Sequence, residues 1–107
     1  MVASLMRLVA KARFRLLGLA TIPNIPTARF NALVETLISE GWQPTTEYRG
    51  IDAWIDYGCV RLEKSGQALK CEWDNWTEGS IEGPRRVLEG IAAANVGLVV
   101  SNDWRWR

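Results

Sequence analysis

With 107 residues, 48% of them hydrophobic and 23% charged, the chain has enough apolar material for one modest core and too much for a disordered segment. It contains no histidine, which excludes a serine–histidine or cysteine–histidine catalytic pair within it and removes the commonest transition-metal ligand. The net charge of +1 hides a split: residues 1–29 carry five bases and no acid, while residues 30–104 carry all twelve acids against six bases.

These properties predict a single domain over 1–107, with a basic N-terminal arm and a short exposed C-terminal tail. In the arm, Leu5, Leu8, Val9, Ala12 and Leu16 have helical spacing, and Arg7, Lys11 and Arg15 line another face. Phe14 and Leu16 also alternate with Arg13 and Arg15, so a short helical or irregular start feeding a strand over 13–20 is expected. The bases interrupt any apolar run, which leaves no secretory core of usual form and no membrane span of roughly 20 apolar residues. Cytoplasmic residence is therefore the expectation. Pro23, Asn24 and Pro26 then predict a turn, because two prolines so close remove donors and restrict the preceding backbone.

Phe30, Leu33, Val34, Leu37 and Ile38 recur at helical intervals after Thr27, a residue suited to capping, and Gly41 can stop the helix in the left-handed region. From Trp42 onward the chain reads as strands. Trp42 to Tyr48 and Ala53 to Tyr57 are expected to be two of them, with a turn near Arg49-Gly50. A tight turn on Ser65-Gly66 pairs Lys64 with Gln67, Leu62 with Leu69 and Val60 with Cys71. One face of this hairpin then holds Val60, Leu62, Leu69, Cys71 and Trp73, and the other Cys59, Arg61, Glu63, Lys70, Glu72 and Asp74. The two cysteines fall on opposite faces, against a disulfide. Arg61 lies beside Lys70, and diagonal acids, Glu72 for Arg61 and Glu63 for Lys70, are expected to relieve the pair.

Gly83-Pro84 predicts the start of a second helix with proline at its first position, and Val87, Leu88, Ile91, Ala92 and Ala94 form its apolar face. Gly90 is expected to allow close packing on the sheet, Gly97 to end the helix, and Leu98 to Val100 to add a short strand. The fold class is α+β: an antiparallel sheet of about four strands with two principal helices packed on one face.

The segment from Cys71 to Pro84 concentrates acids, tryptophans and glycines. Glu72 and Asp74 share a strand face, and Glu78 and Glu82 are placed in the following loop. Paired-acid hydrolysis needs two carboxyl groups at a set separation, which linear spacing does not supply. The spacing is not that of a calcium-binding loop either, so neither a metal nor another cofactor is expected. Trp73 points inward by the hairpin register. Trp76, beyond the strand end, serves either as a lid aromatic or as an interface anchor among Asp74, Glu78 and Glu82, where tryptophan is enriched and acids favour a basic partner.

Three stretches carry a family likeness: Gly41-Trp42 after the first amphipathic helix, Asp52-Ala53-Trp54-Ile55-Asp56-Tyr57, and Glu72-Trp73-Asp74-Asn75-Trp76 running into Glu78-Gly79-Ser80-Ile81-Glu82-Gly83-Pro84. Together, over residues 27–97, they resemble the small immunity proteins that protect bacteria from contact-dependent or similarly delivered toxins. The resemblance implies a protein without enzyme activity that binds the catalytic domain of a cognate toxin and blocks its substrate site. A nuclease cleft built for phosphates would meet Asp52, Asp56, Asp74, Glu78 and Glu82, with Trp76 giving desolvated contact. Two other classes stand beside it. One is a carboxylate-based, metal-assisted hydrolase. The other is a small nucleic-acid-binding adaptor uniting Arg7, Arg13, Arg15 and Arg107, with Trp104 and Trp106 in the tail. A homodimer packing on those tail tryptophans is the remaining use for them.

Overall fold

The computed structural model describes residues 18–101. The elements expected over 1–17, the basic arm, and the tail bearing Trp104 and Trp106 lie outside the described residues. In chain order the elements are β1 (Leu19–Ile25), α1 (Thr27–Ser39), β2 (Gln43–Glu47), β3 (Tyr57–Lys64), β4 (Gln67–Asp74), β5 (Glu78–Pro84) and α2 (Arg85–Ala93). The five strands form one antiparallel sheet in the order β1-β5-β4-β3-β2. A meander from β2 to β5 thus builds most of the sheet, and β1 closes it beside β5. The α+β expectation holds, with one strand more than expected.

The β3–β4 register matches the expected hairpin at every pair from Lys64↔Gln67 to Val60↔Cys71, and continues to Tyr57↔Asp74. Ser65 and Gly66 both have positive φ, 52° and 78°. That is the type I′ geometry whose twist matches paired strands. Both cysteines are free.

One face of the sheet is apolar because side chains alternate along each strand. Val60, Cys71, Ile81 and Ile22 align across four strands, and beside them Leu62 pairs with Leu69 and Ala20 with Gly83, the Leu69 side chain lying against Gly83. Phe30, Leu33 and Leu37 of α1 join Leu88 and Ile91 of α2 and these strand residues in a single buried cluster. Both helices therefore bury their apolar stripes against the same face.

A third row, Gly58–Trp73–Gly79, lies nearest the β4–β5 turn. A methyl group on Gly58 would overlap the Trp54 ring, and one on Gly79 would overlap Phe30. The two glycines leave room for large rings above the sheet, and the Phe30 and Trp54 centroids stand 6.4 Å apart there. This explains why β5 is a strand although its sequence reads as a loop. Two of its core-facing positions are glycines because a neighbour fills the space: Phe30 at Gly79 and Leu69 at Gly83.

Other expectations are corrected. The segment with Pro23 and Asn24 does not leave the sheet. Instead β1 carries a register irregularity between Ile22 and Ile25, with Asn24 at φ 57°. Ala53 to Tyr57 is a loop bearing a lone bridge from Ala53 to Tyr57, and β3 begins only at Tyr57. Thr27 is the first helical residue and not the cap; the cap position is Pro26, which makes no side-chain cap bond. Pro84 likewise precedes α2 and does not open it. Gly90 faces open space, so it serves no close approach. Leu98 to Val100 form no strand; only Ser101 bridges to Thr21. The cations on the hairpin pair along their own strands, Arg61 with Glu63 at 3.3 Å and Lys70 with Glu72 at 3.7 Å, in place of the expected diagonals.

Gly41 does take a positive φ, 104°, where α1 stops, and the Lys64 ammonium donates to the Glu40 carbonyl at 2.7 Å. A lysine on the last helical carbonyls satisfies an orphan acceptor and complements the helix dipole. At the β2 edge, Pro44 and an irregularity between Pro44 and Thr46 interrupt the regular ladder. Both blunt an edge that would otherwise invite another strand.

Candidate functional site

The end of the sheet that gathers the β2–β3 loop (48–56), the β4–β5 turn (75–77) and the start of α1 carries three large, mostly exposed apolar side chains with charges around them; Val96 and Val99, after α2, are exposed as well. Ile51 is 101% exposed, Trp76 77% and Ile55 67%. Asn75 ties the two segments together. Its amide donates to the Asp56 carbonyl at 3.0 Å, and its side chain reaches Asp56 Oδ1 at 3.4 Å. Ile55 and Trp76 are each one residue from that junction.

The loop is held at alternate points along its length. The Tyr48 ring lies over Gly50, where no Cβ could fit, and its hydroxyl donates to Asp52. That bond to a carboxylate raises the Tyr48 pKa. Tyr48 also meets Tyr57 edge to face, with centroids 5.0 Å apart. Trp54 has φ 61°, an unfavourable conformation for a bulky residue, and is kept there by contact with Gly58 and Phe30. Its indole Nε1 donates to Glu47 at 3.0 Å. Backbone bonds from Ala53 to Gly50 and from Ile55 to Asp52 close the turns between these points.

Of the six residues expected at a partner surface, three come together: Asp52, Asp56 and Trp76. Asp52 and Asp56 are half-buried at the loop, with Trp76 exposed on the facing turn. Asp74 is only 7% exposed and is spent on the turn itself. Its Oδ1 accepts from the Trp76 and Thr77 amides at 2.9 and 2.6 Å, and its Oδ2 from the Thr77 hydroxyl at 2.7 Å. Glu78, with φ 60°, turns to α1 and accepts from the Thr27 amide at 2.7 Å and the Thr27 hydroxyl at 2.9 Å. A carboxylate from another strand thus supplies the cap that Pro26 cannot.

Thr27 also accepts from the Trp73 indole at 2.9 Å, so its hydroxyl joins sheet, helix and turn. Thr27→Val keeps the shape and removes the hydroxyl. It is expected to lower stability by about 1–2 kcal/mol in urea denaturation, since the indole N–H loses its acceptor.

Glu82 lies apart, in the middle of the polar sheet face opposite Lys70. Burial raises its pKa, with the Lys70 charge opposing that rise. Its folded pKa stands above the unfolded one, so folding becomes less favourable as pH climbs through the interval between them. Glu82→Gln is expected to raise the melting midpoint at pH 7, with the advantage shrinking toward pH 4; thermal scans at the two values check this.

On the same face the Tyr57 hydroxyl donates to Glu72 at 2.7 Å, and burial together with that bond raises the phenol pKa. Burial pushes the Cys71 thiol up to about 12 and also raises Cys59. Neither thiol is a thiolate near neutral pH. Among the described residues, no three of Asp, Glu, His or Cys are grouped to hold a metal ion. Nor is any described helix long and apolar enough to cross a membrane.

Sequence reasoning missed Ile51 and Ile55. The available signal was their failure to fit an alternating strand pattern, since Ile51, Ala53, Trp54 and Ile55 crowd together after Gly50. No protein-family model, curated protein or solved structure matches the chain.

Proposed function

We propose that this protein is a cytoplasmic immunity-type inhibitor that binds the catalytic domain of a cognate toxin and blocks it, without catalysis of its own. The observation that carries the proposal is the tip: exposed Ile51, Ile55 and Trp76 on clamped segments, beside Asp52 and Asp56. Soluble domains seldom leave several large apolar groups together in water unless a partner covers them. Clamping lowers the entropy lost on binding, and the acids favour a cationic partner and speed encounter. A nuclease fits best, because a cleft that holds phosphates is cationic.

The test is co-purification from the native cell, followed by titration of the recovered toxin domain and assay of its activity. Trp76→Ala is expected to weaken the complex by about 2 kcal/mol, the scale of a central tryptophan anchor, while leaving the melting midpoint unchanged. A toxin bound at full affinity by Trp76→Ala, or bound without loss of its activity, would remove the proposal.

A further inference from the structure

We infer that the tip reads its partner through Ile51, which packs on apolar side chains of a partner protein segment whose neighbouring residues are basic. This rests on the partner-binding reading above and deepens it by naming the partner's chemistry. Ile51 projects fully into water, yet the residues on both sides are fixed, Gly50 beneath the Tyr48 ring and Asp52 on the Tyr48 hydroxyl. A branched apolar side chain presented on an immobilised backbone is ready to bury with little ordering cost.

Charge selects among the occupants. Leaving out the buried Asp74, the segments 47–56 and 75–78 hold the acids Glu47, Asp52, Asp56 and Glu78 against one base, Arg49. A second copy docking tip to tip would set these acids against each other. An anionic lipid surface would meet the same repulsion. A cationic protein surface is complementary, and Trp76 adds a ring face on which an arginine can lie.

Two synthetic hexapeptides serve as probes, Arg-Leu-Arg-Phe-Arg-Leu and Glu-Leu-Glu-Phe-Glu-Leu, each titrated into the full chain while amide chemical shifts are followed. The basic peptide is expected to move the amides of Ile51 to Asp56 and Asn75 to Thr77, and the acidic one to leave them in place. Ile51→Ser should weaken the basic peptide about tenfold with an unchanged melting midpoint, and Ile51→Leu should restore it. Equal responses to both peptides, shifts confined to another surface, or indifference to Ile51→Ser would overturn the inference. So would concentration-dependent self-association that Ile51→Ser abolishes, which would assign the tip to a second copy. A toxin that docks at the tip but stays active would sink the inhibitor function and leave this inference intact.

Discussion

Replacing Phe30 with alanine is expected to lower stability by about 3–5 kcal/mol, a large part of the ~5–15 kcal/mol that holds a domain of this size together. Phe30 is 1% exposed, and its ring fills the space above Gly79 while backing the Trp54 ring. Alanine would leave a cavity that glycine below cannot fill. The loss reaches beyond the core, because Trp54 holds an unfavourable backbone conformation only against its packing. Urea denaturation followed by tryptophan fluorescence should show a lower midpoint with a similar slope. In the folded variant, amides of the 50–56 loop should exchange faster than in the parent. A change under about 1 kcal/mol would show that the rings above the glycine row do not carry this end of the core.

Asp74→Ala comes next, with an expected loss of about 2–3 kcal/mol. Its carboxylate is nearly out of water, and alanine would strip the acceptor from the Trp76 and Thr77 amides and from the Thr77 hydroxyl together. Asparagine keeps one oxygen for the two amides, and the threonine hydroxyl can rotate to accept from the new amide group. Asp74→Asn should therefore cost only about 1 kcal/mol. Hydrogen exchange at Trp76 and Thr77 separates the two variants: fast in alanine, close to the parent in asparagine. Equal losses in both would mean that the negative charge, and not the acceptor geometry, secures the turn.

The parts of the fold that show in the sequence are those where local chemistry and tertiary packing agree. The Ser65-Gly66 turn sits between two arms that alternate cleanly, so register and faces could both be read. The stripe from Phe30 to Leu37 is equally plain. β5 was hidden because its burial depends on partners from elsewhere in the chain. Gly79 and Gly83 look like loop residues until Phe30 and Leu69 are placed above them. The β2–β3 loop misled in the opposite way. Ala53 to Tyr57 has strand-forming residues, yet Trp54 is drawn out of extended geometry by Gly58, Phe30 and Glu47.

For the candidate site, the sequence grouped residues to which the structure gives three separate places. Asp52, Asp56 and Trp76 meet at the tip. Asp74 and Glu78 answer backbone donors, and Glu82 belongs to the polar sheet face. Linear spacing cannot separate an acid that caps a helix from one that faces solvent, because the donors lie far off in sequence: Thr27 and Glu78 are 51 positions apart.

The clamped loop has a consequence for how such a protein can change over generations. Fixed and displayed positions alternate, with Gly50, Asp52, Trp54 and Asp56 bound to the body and Ile51 and Ile55 turned outward between them. The outward side chains contribute little to folding, so their identities can be exchanged without the scaffold noticing. Under the proposed inhibitor role, a population carrying this domain could alter which toxin it answers by one or two substitutions at a time, each intermediate remaining folded.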